Sequence, residues 1–370
     1  MKILHITNDY SGSKVYMNLF QELDKIGVSQ IIYHPVKDSK NINKNKITFH
    51  NNDSRIIYSK SINKSTDRLI YRIKIRKIFL DIENKVDLSK IDFIHAHTWY
   101  SDGGVAYLLS KKYNIPYILA VRSSDVNVFY KYLIFERNFG KKILNESKKI
   151  VLISKAYKNR LPEIVSLQNK IEIIPNGVDS FWIENTIQKK NLFEPEILYV
   201  GSFINRKHVA NLILAILLLE EKGYNVVLNL IGGGGSEQKK IEELIKLHPE
   251  TIKYHGVISD KELLKDHYQR NYIFAMPSKN ETFGLVYIEA LLQGLPVLYT
   301  SGEGIDGYFD NKIGEKVDSF DKFEIANKIE NMINNYNIYD FDTKTISIQH
   351  NWQYIAKKYI EIYNHYSLNK

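Results

Sequence analysis

Short apolar runs recur along the chain, separated by longer segments whose apolar positions repeat at helical spacing. MKILHIT, QIIYHPV, FIHAH, YILAVR and IVLIS read as strands in the first half, and ILYVG, VVLNLIGG, IKYHG, IFAMPS and PVLYT in the second. Between them lie helical stretches such as VYMNLFQELDKIG, GVAYLLSKKYN and VANLILAILLLEEKG, the last two closing on the Asn or Gly expected just past a helix. Strands alternating with helices predict parallel sheets covered on both faces, and two such series predict an α/β chain of two doubly wound, Rossmann-like domains. Periodicity fails near 180 to 195, in IPNGVDSFWIENTIQKKNLFEPE. The expected division is therefore 1–185, 186–350 and a closing helix at 351–370 with Trp352, Ile355, Tyr359 and Ile362 on one face.

Composition agrees with this picture and narrows it. The chain has 370 residues, 44% hydrophobic and 25% charged, enough for two domains of about 150 to 200 residues each. Its longest apolar run, LILAILLL at 212–219, falls short of the roughly 20 residues that span a bilayer. The first residues read as a strand, not as a signal peptide. The absence of cysteine leaves no disulfide framework and fits a cytoplasmic protein.

Charge is uneven. Residues 1–190 hold 32 Lys and Arg against 18 Asp and Glu, whereas 191–370 hold 19 against 24. The densest basic stretch, DRLIYRIKIRKIFLDIE at 67–83, interleaves Arg68, Arg72, Lys74, Arg76 and Lys77 with Leu69, Ile70, Ile73, Ile75, Ile78 and Phe79. Two readings stand: a helix lying on an anionic membrane, on the inner face of the plasma membrane, or a surface helix whose apolar stripe enters the core. No ribonucleoprotein motif or recognition helix accompanies the basic half, so nucleic acid is not an expected partner.

Doubly wound sheets bind ligands at the carboxyl ends of their strands. In the second half those ends carry GSFINRKH, GGGGSEQ, GVIS and KNETFGL. Thr282, Phe283, Gly284 and Leu285 open a helix whose first amides suit a phosphate, and Arg206 and Lys207 can add full positive charge. Glu281 in the preceding loop and Glu289 inside the helix are two acids in an apolar run, and a buried acid needs a partner. A molecule with phosphates flanked by hydroxylated rings satisfies this set.

These residues carry a resemblance. IPNGVD, the G-x5-K of GSFINRK, IGGGGSEQKKIEEL, PSKNETFGLVYIEALLQGLPVL and the closing aromatic helix resemble the retaining glycosyltransferases of family 4, in order over nearly the whole chain. The most specific element is E-x7-E followed by A-x3-G-x-P-V, here Glu281, Glu289, Ala290, Gly294, Pro296 and Val297. The resemblance implies the GT-B fold, two Rossmann-like domains facing a cleft, with the closing helix returning to the first. It implies Glu281 on the donor sugar, Glu289 on the ribose, and Lys207 with Arg206 on the diphosphate. Ser202, Gly232, Val257 and the 282–285 segment complete the donor side. Gly12, Ser13, His97, Arg122 and Asp125 are the acceptor-side candidates.

Two positions depart from the family pattern. Ser202 stands where many members have Arg, and Arg122 stands where many have His. An Arg cannot act as a general base, since its pKa stays above about 12, but it can steady a departing phosphate or an anionic acceptor. The implied activity is metal-independent and cofactor-free hexosyl transfer from a UDP-sugar, or next a GDP-sugar, to a glycan or lipid-linked glycan acceptor. A non-catalytic sugar-binding subunit and a sugar-nucleotide epimerase or phosphorylase of the same fold are the alternatives.

Overall fold

All ten runs read as strands are strands in the computed structural model, which describes every residue except 37, 61–66, 68–70, 164, 189–194 and 368–370. Two compact units result. The first is built from Met1–Ile153, Lys158–Asn176 and Trp352–Lys370, the second from Ser154–Tyr157 and Gly177–Asn351. The second unit thus begins ahead of the expected division, because Trp182 of the short helix after IPNGVD is buried in that unit's core.

In the first unit, β1 (Lys2–Ile6), β2 (Ser29–Pro35), β3 (Arg55–Ser59), β4 (Phe93–Ala96), β5 (Tyr117–Val121), β6 (Lys149–Leu152) and β7 (Ile171–Ile173) form one parallel sheet. Their order is β3-β2-β1-β4-β5-β6-β7. The covering helices are α1 (Lys14–Lys25), α2 (Tyr71–Lys85), α3 (Ser101–Tyr113) and α4 (Arg137–Glu146), together with the C-terminal helix Trp352–Ser367. Ser13 caps α1, its Oγ accepting from the Val15 amide. Asn114 ends α3 in the left-handed conformation foreseen for it. The C-terminal helix buries Trp352, Ile355, Tyr359 and Ile362, packing with Leu19, Phe20 and Leu23 of α1.

The basic stretch follows the core-packed reading over the residues described. Arg68, Leu69 and Ile70 lie outside them. From Tyr71 onward, Ile75, Ile78 and Ile82 are buried as α2 packs on α3. Arg72 pairs with Glu136, Lys77 with Asp67 and Lys85 with Asp81. Ile75 and Ile78 of the apolar stripe expected to meet lipid are therefore in the core, and Ile73 is exposed. No helix among the described residues is long and apolar enough to cross a membrane.

Register places His5 of β1 opposite His95 of β4, and the two-residue period of the strand adds the third imidazole, His97, to the same face. All three are wholly buried among Tyr16, Phe20, Tyr359 and Tyr363. One nitrogen of each lies within 4.8 Å of the others, a proximity that chain spacing did not reveal. The rings of His95 and His97 stack with centroids 3.9 Å apart. His5 Nδ1 and His97 Nε2 are 3.1 Å apart and share a hydrogen bond. Burial holds all three imidazoles below their ordinary pKa, so the cluster is neutral near pH 7.

In the second unit, β8 (Glu196–Gly201), β9 (Val227–Gly232), β10 (Ile252–Tyr254), β11 (Ile273–Ala275), β12 (Val297–Thr300) and β13 (Gly314–Val317) form a parallel sheet. The order is β10-β9-β8-β11-β12-β13. Helices α5 (Ser180–Glu184), α6 (Val209–Glu221), α7 (Gln238–Leu247), α8 (Lys261–Arg270), α9 (Leu285–Leu292), α10 (Lys322–Asn334) and α11 (Thr343–Gln349) complete it. Strand order reverses between β8 and β11, and the loops leaving those two strands therefore border the crevice where such sheets bind ligands.

Burial in the first unit sets its pH response. Desolvation lowers His5 to about 3 and puts His95 and His97 well below their ordinary value. The unfolded chain then binds up to three more protons as pH falls below about 6.5, which removes stability. Burial acts oppositely on two carboxyls, raising Asp102 to about 7 and Asp125 to about 6. Their folded forms take up protons that the unfolded forms do not, so stability rises again by two protons over the same window. The expected outcome is a shallow acid dependence near pH 5.5, about one proton in slope, or about 1.4 kcal/mol per pH unit. In urea titrations of the first unit's transition, Asp102→Asn should steepen that slope by one proton and His97→Asn flatten it. Equal slopes in all three proteins would show that these groups are not buried as described.

Candidate active site

The crevice of the second unit is assembled from two loops. After β8, the chain turns through Ser202–Ile204 into a tight turn at Asn205–Lys207 and passes His208 in the left-handed region. This turn carries Lys207 inward, leaving it 8% exposed, while Arg206 stays more open. After β11, the chain runs through Met276 and Ser278 to Glu281. The loops are tied by the Lys279 amide donating to the Arg206 carbonyl at 2.7 Å. The Glu281 carbonyl accepts from the Gly304 amide at 3.2 Å and from the Tyr157 hydroxyl, so its backbone is fixed before its side chain acts.

The Glu281 carboxylate gathers the site. Its Oε2 accepts from Lys207 Nζ at 2.6 Å, Ser278 Oγ at 3.0 Å and Arg206 Nη1 at 3.5 Å, and its Oε1 from the Thr282 amide at 3.2 Å. Burial alone raises its pKa, but the Lys207 and Arg206 charges and the bonds from Lys207 and Ser278 outweigh that and hold it below the usual carboxylate range. Burial lowers the Lys207 ammonium even though Glu281 opposes the shift. Glu281, expected to face a ligand, has partners within the chain. A buried charge pair survives only when its remaining lone pairs and protons are also bonded, and Ser278, Thr282 and the Met276 sulfur, 3.2 Å from Lys207 Nζ, provide those contacts.

Gly284 begins α9 at φ 82°, a conformation suited to glycine, and a Cβ there would meet the Tyr287 ring at 2.4 Å. Leu285 is the first helical residue, and the Thr282 amide is already spent on Glu281. Phe283 is buried. Glu289 lies on α9, where Tyr268 donates its hydroxyl to Oε2 at 3.2 Å. Burial raises Glu289 to about 7, opposed by the Tyr268 bond, with Asp179 adding to the shift and Lys261 resisting it.

The other donor-side residues line the same strand ends. Ser202 follows β8 and offers its carbonyl to the Tyr199 hydroxyl at 2.9 Å. Gly232 ends β9 at φ 122°, and a Cβ there would lie 1.9 Å from the Gly201 carbonyl oxygen, so the two strand ends touch backbone to backbone. Val257, after β10, is 75% exposed.

In the first unit, Gly12 and Ser13 lie between β1 and α1, where Ser13 serves as the helix cap. Arg122 follows β5, donating to the His97 carbonyl at 3.2 Å and to Asn176 Oδ1 at 3.2 Å. Its guanidinium lies 5.4 Å from the centre of the Tyr16 ring. His97 and Asp125, read as acceptor-side groups, are both wholly buried. His97 belongs to the imidazole cluster. Asp125 accepts the amides of Trp99, Tyr100 and Arg122 at 3.0, 3.3 and 2.9 Å, so it fixes the loops after β4 and β5 and shows no face to a ligand.

Sequence reasoning missed Ser278, Tyr268 and Tyr157. Ser278 could have been found, because it lies three residues before Glu281 in the same loop. Tyr268 and Tyr157 carry no local signal, since they reach Glu289 and Glu281 from remote parts of the chain.

Comparison with known proteins fits this geometry. Residues 13–180 match the family model described as Glycosyltransferase Family 4, and residues 181–359 match that described as Glycosyl transferases group 1. The chain is 34% identical over 260 residues to an uncharacterized glycosyltransferase of Methanocaldococcus jannaschii, covering 68% of each. It is 23% identical over 337 residues, 84% of this chain and 83% of the other, to TuaC of Bacillus subtilis, named for teichuronic acid biosynthesis. Among solved structures, HepE of Anabaena, determined in complex with UDP and glucose, superposes with a TM-score of 0.65 at 16% identity over 98% of this chain and 99% of its own. With both halves matched in order and two parallel-sheet units of this topology, the chain is a GT-B glycosyltransferase and belongs to glycosyltransferase family 4.

Proposed function

We propose that this glycosyltransferase moves a hexosyl unit, with retention of anomeric configuration, from a UDP-sugar to a glycan or lipid-linked glycan acceptor. The observation that carries the reading is the Lys207, Arg206 and Glu281 cluster at the β8 and β11 loop ends. A diphosphate entering there competes for the two cations. As Lys207 and Arg206 turn to the phosphates, Glu281 loses its strongest partners and accepts the sugar hydroxyls instead. The ion pair of the ligand-free site is a placeholder that keeps each charge paired until the donor divides it. UDP is favoured as carrier by analogy with HepE, and a surface polysaccharide by the name of TuaC; a GDP-sugar is the next candidate.

Chemistry then follows from charge. The bond between C1 and the diphosphate oxygen breaks, and negative charge grows on the leaving group beside Lys207, Arg206 and the start of α9. The acceptor oxygen bonds C1 from the same face and passes its proton to the departing phosphate oxygen. No dedicated base is required, so Arg at position 122 is compatible with turnover. Fixed cations and the helix start do the work a divalent ion does elsewhere, and the reaction is proposed to need no metal or cofactor.

Lys207→Ala and Glu281→Gln should each lower kcat/KM at least about a hundredfold, because each removes a contact that strengthens in the transition state. The fold should be judged separately by circular dichroism, since breaking a buried pair also costs stability. Near-normal turnover in either variant rules out the assigned roles. Activity should persist in EDTA; loss that magnesium or manganese restores would overturn the metal-free reading.

Glu289 adds a pH signature. Its carboxylate accepts ribose hydroxyls most strongly when ionised, and burial raises its pKa in the free protein to about 7. UDP-glucose affinity should therefore rise from pH 6 to pH 8, by up to about tenfold, as the ionised fraction rises. Calorimetric titration at the two pH values measures it. Glu289→Gln should abolish the dependence, and a dependence that persists in that variant assigns it to another group.

A further inference from the structure

Between β5 and α4 the first unit carries a tip of short helical turns, 125–136, with apolar side chains directed outward. Phe135 is fully exposed, Tyr132 is 67%, Ile134 61% and Val128 49% exposed, and Ile73 at the nearby start of α2 is 46% exposed. Single exposed apolar residues are ordinary on protein surfaces, but a contiguous group of large ones marks a surface that meets something apolar.

The tip is held rigidly in this presentation. Trp99 stacks on Tyr130 with centroids 5.3 Å apart. Arg137 donates to the carbonyls of Tyr130 at 2.9 Å and Lys131 at 3.2 Å. Arg72 donates through Nε to both carboxylate oxygens of Glu136 at 2.8 and 3.0 Å and lies 3.6 Å over the Phe139 ring. These contacts fix the backbone while leaving Tyr132, Ile134 and Phe135 without cover.

The surroundings are basic. Residues 126–142 contain Lys131, Arg137, Lys141 and Lys142 against Glu136 alone, and 71–79 contain Arg72, Lys74, Arg76 and Lys77, of which Lys77 is paired with Asp67. Glu136 is spent on Arg72. Among the described residues, Lys131, Lys141 and Lys142 are in no ion pair, and Lys141 and Lys142 project from the exposed side of α4.

We propose that this tip is a docking surface for an anionic phospholipid bilayer, with Tyr132, Ile134 and Phe135 entering the interfacial layer and the surrounding Lys and Arg residues meeting the headgroups. A lipid surface fits better than a protein partner for two reasons. The apolar residues stand out from the surface at a protruding tip, which suits penetration of a soft interface. The basic girdle has no residual acid to pair with a mixed-charge protein surface, and complements a uniformly negative one. The docking element is thus the 128–135 tip, flanked by α2, in place of the apolar stripe of α2 itself. The inference does not rest on the transferase reading, because binding is measured without donor or acceptor.

Vesicle co-sedimentation tests it, with phosphatidylcholine vesicles alone and vesicles containing phosphatidylglycerol. The full chain should bind the anionic vesicles at low ionic strength and lose most of that binding as salt screens the girdle. A triple variant, Tyr132→Ser with Ile134→Ser and Phe135→Ser, should bind at least tenfold more weakly with an unchanged melting temperature. Lys131→Gln with Lys141→Gln and Lys142→Gln should weaken binding and reduce its salt dependence. Should the triple variant fail to fold, Phe135→Trp gives an independent reading: its emission should shift to the blue on anionic vesicles and be quenched by brominated acyl chains. Absence of wild-type binding at low salt overturns the proposal. So does an F135W emission that responds to protein concentration but not to vesicles, which would make the tip an interface between proteins.

Discussion

The site of the second unit depends on one buried carboxylate, Glu281, and on the cations that keep it charged. An isolated carboxylate at that depth would be strongly penalised. The sheet order resolves this by bringing the loops after β8 and β11 side by side, so that Lys207 and Arg206 meet an acid more than seventy residues away in sequence. Ser278, the Thr282 amide, the Gly304 amide and Tyr157 then fix the acid's side chain and backbone. Everything proposed about donor binding follows from how easily a second anion can divide that pair.

The two units share the order 3-2-1-4-5-6 in their first six strands but fill the carboxyl ends differently. In the second, charged side chains converge on the crevice. In the first, Asp125 is spent on three amides and His97 is sunk into an imidazole stack, so much of the polar chemistry visible in the sequence serves the scaffold. Arg122 is the exception among the acceptor-side candidates, tethered by neutral partners and an aromatic ring.

Strand content was legible wherever a strand lies inside a sheet. The three strands that escaped sequence reading, RIIYS, IEI and GEKV, are all edge strands, which pair on one side only and need no continuous apolar run. The donor-side loops could be read because their glycines, cations and acids are local. Burial could not: nothing adjacent to His97 or Asp125 distinguishes a ligand-facing group from one enclosed by remote strands. The 67–83 stretch shows the same limit, since periodicity reveals an apolar stripe but not which surface it meets. The outward set of Tyr132, Ile134 and Phe135 lacks any regular period, because it lies on consecutive short turns and not on one helix.

The chain's division has a consequence for synthesis. The first unit draws its last helix, Trp352–Ser367, from beyond the whole second unit, and that helix covers α1 and gives the Tyr363 hydroxyl to His95 at 2.7 Å. Until those residues leave the ribosome, His95 on the first sheet and the side of α1 bearing Leu19, Phe20 and Leu23 lack the cover of Tyr359 and Tyr363. The unit made first is therefore the one completed last, and in the interval its uncovered aromatic face is the part of the nascent chain most in need of protection from aggregation.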